Sequence, residues 1–392
     1  MGAVILLTSG VVALFVRPRS VALWVAPVVL AVIGLATTWV RWGDVHDSLR
    51  LLRNPLLFLL FAVPLAVLLD RIGVFGALAA LVDGGRHLAA WLWVLAAAVT
   101  IVCNLDASVV LLTPLYIRIA RRHGLAPEML AFQPALLACL ASSPLPVSNL
   151  TNLIIAERFH LGVGDFVRHL ALPTLAACTI GWFAFRTVFH LHPTTDGIDE
   201  VAEARALQRG LPIIGFVLVG FTAGDVVGVP AWVIAAVAVV WAAALTRTVP
   251  WRAVPHEAML VAAGLAVLVA GAVPHLHLAG VLHGGSGSAG SSGIGDGLRA
   301  LLFGVVGSDI ANNLPAVLAG SAALHDHAQV WPLLIGVNIG PVFVLSGALS
   351  GLLWRDTAAS LDVHVTFRRY TSVGVRVGLP ALLAAAFVVL AT

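Results

Sequence analysis

Charged side chains are scarce in these 392 residues: Asp, Glu, Lys and Arg make up 10%, against about 25% in an average soluble domain. A water-soluble surface cannot be assembled from so few. The three cysteines, Cys103, Cys139 and Cys178, all lie in apolar stretches, which excludes a disulfide framework and reads most simply as small core residues. There is no Walker A sequence, no HExxH and no GxSxG, so neither ATP hydrolysis nor intramembrane proteolysis is encoded in this chain, and no cofactor is implied. The formal charge of +3 rests on arginines in short loops and reports topology, with no nucleic-acid module in sight.

What is present is apolar: 60% of the residues are hydrophobic. Runs at 21–40, 55–69, 170–189, 258–273 and 374–390 approach the ~20 residues that cross a bilayer as helix. Leu, Ala and Val dominate without sustained polar–apolar alternation, so the runs read as helices and not barrel strands. The first run, 2–16, lacks a leading basic region and is read as a span, not a signal peptide. The expected fold is an all-α polytopic membrane protein of the inner membrane.

A polar stretch at 190–209, with Asp196, Asp199, Glu200 and Glu203, separates two apolar halves and reads as an interhalf linker over 191–209. A Gly/Ser-rich stretch at 284–293 reads as an exposed loop. Within the first half, 86–122 holds two short apolar arms around Asn104, Leu105, Asp106, Ala107 and Ser108, and its arginines predict a helical hairpin entering from the cytoplasm. The second half has a matching hairpin at 297–325, around Ser308, Asp309, Asn312, Asn313 and Pro315, expected to enter from outside.

Each hairpin is followed by an apolar segment broken by proline, glycine and polar residues. The first, 130–156, is broken from Ser142 to Asn152 and the second, 331–354, from Asn338 to Gly347. Aligning Asp106 with Asn313 gives a weak internal repeat. Counting spans at 2–16, 21–40, 55–69, 130–156 and 170–189, then 211–227, 232–245, 258–273, 331–354 and 374–390, gives five per half. An odd number inverts the second repeat, 210–392, relative to the first, 1–190. The count puts Arg205, Arg209, Arg247, Arg252, Arg355, Arg368 and Arg369 inside and Arg41, Arg50, Arg53, Arg158 and Arg168 outside.

Inverted repeats with paired broken helices point to a secondary transporter whose site lies at midplane, where the four breaks meet. Asp106 is the leading candidate, because a carboxyl at membrane depth is costly and commonly has a proton, cation or substrate task; the plainer alternative is an N-cap for the following arm. Asn104, Ser108, Ser148, Asn149, Asn152, Asn312 and Asn313 supply neutral donors and acceptors suited to a hydroxylated solute, or glue helices together. Asp309 is either a second titrating group or a cap. Cys103 offers a soft ligand beside the first cluster, although buried cysteine usually acts as a small hydrophobe. His275, His277 and His283 show no convincing metal-ligand spacing.

Asp106 to Leu115 (DASVVLLTPL), Pro144 to Asn152 (PLPVSNLTN), Ala311 to Ala316 (ANNLPA), and Gly340-Pro341 leading to Gly347 to Trp354 (GALSGLLW) resemble the arsenite/antimonite efflux permeases of the ArsB type, within the ion transporter superfamily. The resemblance implies the hairpin-plus-broken-helix plan and export of As(III) or Sb(III) as the neutral hydroxide in exchange for protons. It further implies an elevator-like movement and a possible soluble ATPase subunit. It carries substrate-site roles for Asp106, Ser148, Asn149, Asn152, Asn312 and Asn313; Gly347, at the last break, is a further substrate-site candidate. Two departures stand out: the family's Asn-Asp pair is here Leu105-Asp106, with Asn104 one residue early, and its last Gly-Ser is Gly347-Ala348. With no Arg or Lys in any cluster, a neutral or cationic substrate is favoured over a dicarboxylate, and a sodium/proton antiporter is the alternative. A passive channel or a scaffolding subunit fits two broken repeats poorly.

Overall fold

The computed structural model describes residues 1–16, 21–81, 87–189, 204–283, 294–324 and 327–391, and among them all regular structure is helical. The chain opens with α1 (Gly2–Val16), α2 (Val25–Ala36), α3 (Trp42–Ile72) and α4 (Val74–Ala79). A hairpin of α5 (Leu88–Cys103) and α6 (Leu105–Arg122) follows, then α7 (Pro127–Leu140), α8 (Leu150–Phe159) and α9 (Val163–Val188). The second half holds α10 (Ala204–Val227), α11 (Ala231–Thr246), α12 (His256–Ala272) and α13 (Leu278–His283). Another hairpin, α14 (Ile294–Ala311) and α15 (Asn313–Ala323), precedes α16 (Val330–Ile339), α17 (Leu349–Ala359) and α18 (Phe367–Ala391). Five helical segments among the described residues are long and apolar enough to cross a membrane.

Several boundaries move from where the sequence suggests. The linker expected at 191–209 is shorter at its far end, because α10 begins at Ala204 and takes in Arg205 and Arg209; residues 190–203 lie outside the described residues, as does the Gly/Ser stretch 284–293. The span expected at 55–69 is the core of a 31-residue helix containing Pro55 and Pro64. Such a helix is about 46 Å long against ~30 Å of hydrocarbon. Its first turns, with Asp44, Asp47, Arg50 and Arg53, are polar for that reason. The helix ends at Gly73, whose φ of 88° lies in the left-handed region that glycine adopts without a side-chain penalty.

The helices pack as two groups. One joins both hairpins to α7, α8, α9, α16, α17 and α18; α9 runs along α18 with Gly181 facing Ala381. Phe132, Trp354 and Tyr370 form its aromatic centre, with Trp354 Nε1 donating to the Ala131 carbonyl at 2.7 Å. Where α14 crosses α16 the backbones touch: a Cβ on Gly336 would lie 2.3 Å from the Leu301 carbonyl oxygen, and one on Gly304 2.7 Å from that of Leu333. Small residues at such crossings are how membrane helices gain close packing. The other group sets α3 against α11 and α12, and α12 against α1 and α2. The two groups meet where α8 and α15 lie along α3 and α12.

Candidate functional site

Each hairpin turns at an asparagine. Asn104 (φ 85°, ψ 148°) separates α5 from α6, and Asn312 (φ 84°, ψ 150°) separates α14 from α15. This backbone region is nearly exclusive to glycine and costs a side-chain-bearing residue about 1–3 kcal/mol. The side chains offset that cost in the same way. Asn104 Oδ1 accepts from the Asp106 N–H at 3.0 Å and Asn312 Oδ1 from the Leu314 N–H at 3.2 Å, each capping the next helix. Both amides then donate to the facing break, Asn104 to the Val147 carbonyl at 3.5 Å and Asn312 to the Ser346 carbonyl at 3.1 Å.

These geometries correct two sequence readings. The helix caps are Asn104 and Asn312; Asp106 and Asp309 lie inside α6 and α14 and cap nothing. The break-to-break equivalence also pairs Asp106 with Leu314, one residue away from the Asn313 that sequence alignment gives it. The second hairpin therefore has no carboxyl at the corresponding place.

The broken helices are joined by a chain of side-chain amides. Asn149 Oδ1 accepts from the Thr151 N–H at 3.2 Å, which turns its Nδ2 toward Asn338 Oδ1 at 2.8 Å. Thr151 Oγ1 donates to the same oxygen at 2.8 Å. Asn338 Nδ2 donates to Asn152 Oδ1 at 2.8 Å and to Ser143 Oγ at 3.2 Å. Asn152 Nδ2 then closes on the carbonyls of Ser142 (2.8 Å), Ser143 (3.3 Å) and Leu145 (2.9 Å). Backbone groups at both ends fix every amide orientation, so the chain has one consistent sense.

The N-termini of α6, α8, α15 and α17 converge on a cavity of about 50 Å³, room for roughly three to five waters at about 10–15 Å³ each. Asp106, Asn149, Asn312 and Asn313 line it on one side; Leu59 of α3 and Val261 of α12 line it on the other. Four helix N-termini put the positive ends of four dipoles around one carboxylate. Among the lining residues there is no Arg, Lys or His. Asp106 Oδ1 is buried with no hydrogen-bond partner; among the described residues the Asn313 side chain makes no hydrogen bond, while its backbone N–H donates to the Gly347 carbonyl at 2.8 Å.

The structure thus sorts the sequence candidates. Asp106, Asn149, Asn312 and Asn313 meet at the cavity. Asn104 and Asn152 hold the breaks; Ser148 donates to the Ile101 carbonyl at 2.7 Å; Ser108 pairs with Thr100 inside the first hairpin at 2.7 Å. Gly347 holds Asn313 through its carbonyl, in a turn where a Cβ would lie 2.8 Å from Pro341 Cα. Asp309 is away from the cavity, half-buried, with one oxygen unpartnered and with Cys139 and Tyr370 as electrostatic neighbours. Cys103 is buried at the end of α5. Missed as site residues were Asn338 and Thr151. The signal for Asn338 was available: it is the one amide in an otherwise apolar helix, fully buried by the packing on all sides.

An all-helical bundle that spans the bilayer, with broken helices meeting at a small cavity that has polar residues on one side, defines a multi-pass membrane transporter of the cytoplasmic-membrane type rather than a barrel. The chain belongs to the citrate transporter (CitMHS) family, which it matches over residues 1–345. It is also similar to the arsenical pump membrane protein of Escherichia coli K12, 26% identical over 420 residues covering 97% of this chain and 96% of the relative. A second Escherichia coli arsenical pump membrane protein is 28% identical with the same coverage, and that of Yersinia enterocolitica is 27% identical over 408 residues, 93% of this chain and 92% of the relative.

Proposed function

We propose that this transporter exports trivalent metalloid, arsenite or antimonite as the neutral hydroxide, from the cytoplasm in exchange for protons. The observation that carries the reading is the cavity: it is small, it has no cation to hold a carboxylate substrate, and it presents the Asp106 carboxyl and the Asn313 side-chain amide without hydrogen bonds to the protein. A trihydroxide offers three O–H donors and oxygen lone pairs. Asp106 and the Asn313 carbonyl accept the former; the asparagine amides and helix-terminal N–H groups donate to the latter. A citrate-sized tricarboxylate would exceed this volume and meet Asp106 with like charge. The names of the arsenical pump relatives support the same choice.

In this reading Asp106 exchanges the proton against solute, and Asp309 is a second proton-carrying group outside the cavity. The two halves are inverted repeats, 1–190 and 210–392. The group built from both hairpins moves against α1–α3 and α10–α12 in an elevator-like fashion, and a soluble ATPase subunit is a candidate partner. The test is As(III) uptake into everted membrane vesicles with and without an imposed proton gradient, beside Asp106→Asn. Gradient-dependent accumulation lost in the variant supports metalloid/proton exchange. No accumulation, with sodium-evoked proton movement instead, assigns the protein to cation antiport, for which Asp106 is equally suited.

A further inference from the structure

The four helices that enclose the cavity across the junction of the two groups, α3, α8, α12 and α15, also line a second recess of about 570 Å³. On each, a residue lining the cavity and one lining the recess lie eight positions apart. Leu59 lines the cavity and Leu51 the recess; likewise Asn149 and Glu157, Val261 and Val269, Leu314 and Ala322. Eight residues of helix is about 12 Å. The four helices contact one another in a closed ring, α3 with α8, α8 with α15, α15 with α12 and α12 with α3. Cavity and recess are therefore two levels of one seam.

The levels differ in chemistry. The recess carries charges of both signs, Asp44, Asp47 and Arg50 from α3 and Glu157 and Arg158 from α8, with His160 just beyond the end of α8. Each helix packs an apolar side chain into the shared core: Leu52, Ile154 and Leu265, which line neither space, at 0% exposure, and Leu318, at the wall of the recess, at 7%. A layer of four such side chains excludes water, and a polar solute or a proton cannot pass while it is closed.

We infer that this seam is the route between the central cavity and the face bearing the recess, and that Leu52, Ile154, Leu265 and Leu318 form the barrier that closes it. The recess is the port through which a small neutral hydroxylated solute leaves and protons arrive; mixed charges keep it hydrated without retaining a neutral solute. The span count places Arg50, Arg53 and Arg158 outside, and with them this face. The inference takes the cavity as the solute site, but the barrier is tested without any solute.

The experiment is thiol labelling from the outer face of intact cells with a membrane-impermeant charged methanethiosulfonate. Labelling of the unsubstituted chain sets the background from Cys103, Cys139 and Cys178. Ala322→Cys, in the recess, is expected to label quickly, which also reports that the protein is folded and inserted. Leu314→Cys, at the cavity, is expected to stay near background. Adding Leu318→Ala or Leu265→Ala should raise the Leu314→Cys rate about tenfold or more, because removing a large side chain weakens the closed layer. Rapid outside labelling of Leu314→Cys with the layer intact overturns the barrier. So does a Leu314→Cys rate unchanged by both truncations while Ala322→Cys still labels. Ala322→Cys labelling only in everted vesicles overturns the outward direction of the port. Either labelling result stands whether or not arsenite is the cargo, so the two readings fail separately.

Discussion

Asn149 Nδ2 donates to Asn338 Oδ1 at 2.8 Å, joining two broken helices that lie 189 residues apart in the chain. Neither residue is free to turn its amide over. Asn149 is fixed by the Thr151 N–H, and Asn338 in turn supplies the donors that Asn152 and Ser143 accept.

Asn338→Ala would leave the Asn149 amide and the Asn152 carbonyl buried without partners. At about 1–3 kcal/mol for each unsatisfied group, the variant should lose several kcal/mol of stability, read as a large fall in thermal unfolding temperature in detergent. The double variant Asn149→Ala/Asn338→Ala should lose clearly less than the two single losses added together. Additive losses would mean that the pair is not coupled.

Asn312 invites a comparison of glycine with alanine. Asn312→Gly loses the cap to Leu314 and the bond to Ser346 but accepts a φ of 84°; Asn312→Ala loses both bonds and keeps the backbone penalty of about 1–3 kcal/mol. The glycine variant should therefore be the more stable in the same melting assay. The same order is expected at Asn104, and equal stability at either position would contradict the strain assigned there.

Asp106→Asn should unfold at nearly the temperature of the parent protein, because its carboxyl has no bond within the protein to lose. Gradient-driven accumulation should nevertheless be abolished, with counterflow of solute retained in part. Asp309→Asn, away from the cavity, should change the pH dependence of transport while leaving the apparent substrate affinity within about twofold, a free-energy change well under 1 kcal/mol. A large rise in KM in Asp309→Asn would place that residue at the solute.

Gly336→Ala puts a methyl group 2.3 Å from the Leu301 carbonyl and should cost more than the 1–3 kcal/mol typical of overpacking a core. Gly215→Ala on α10, with nothing within 4 Å of the added carbon, is the control and should be neutral or stabilising by up to about 1 kcal/mol. Expression level and melting temperature of the two variants, measured together, decide the point.

The hairpins and broken helices were legible because glycine, proline and asparagine inside apolar runs have few structural uses. Asn104 and Asn312 lie at the turns, and Ser142 to Asn149 and Gly340 to Ala348 at the breaks. What periodicity could not give was register. Asp106 looks like a cap because Asp before an apolar run often is one, yet Asn104 takes the role with a backbone conformation that no residue pattern announces. Asn338 is marked as the one amide in VWPLLIGVNI, but its partners come from the other half of the chain, so the sequence does not reveal whether it faces solute or four hydrogen-bonding neighbours. The polar first turns of α3 lie before the span read at 55–69, where Arg50 and Arg53 precede the apolar run, although arginine is a good helix former.

The crossing of Gly304 and Gly336 decides where this molecule can deform. With peptide groups of α14 and α16 in direct contact there is no side-chain layer to slide or repack, so the second hairpin and its broken helix behave as one stiff part. The amide chain through Asn338 fastens the first broken helix to that same part. Compliance is then left to the contact of α15 with α12, where aliphatic side chains offer many closely spaced resting positions and little resistance between them.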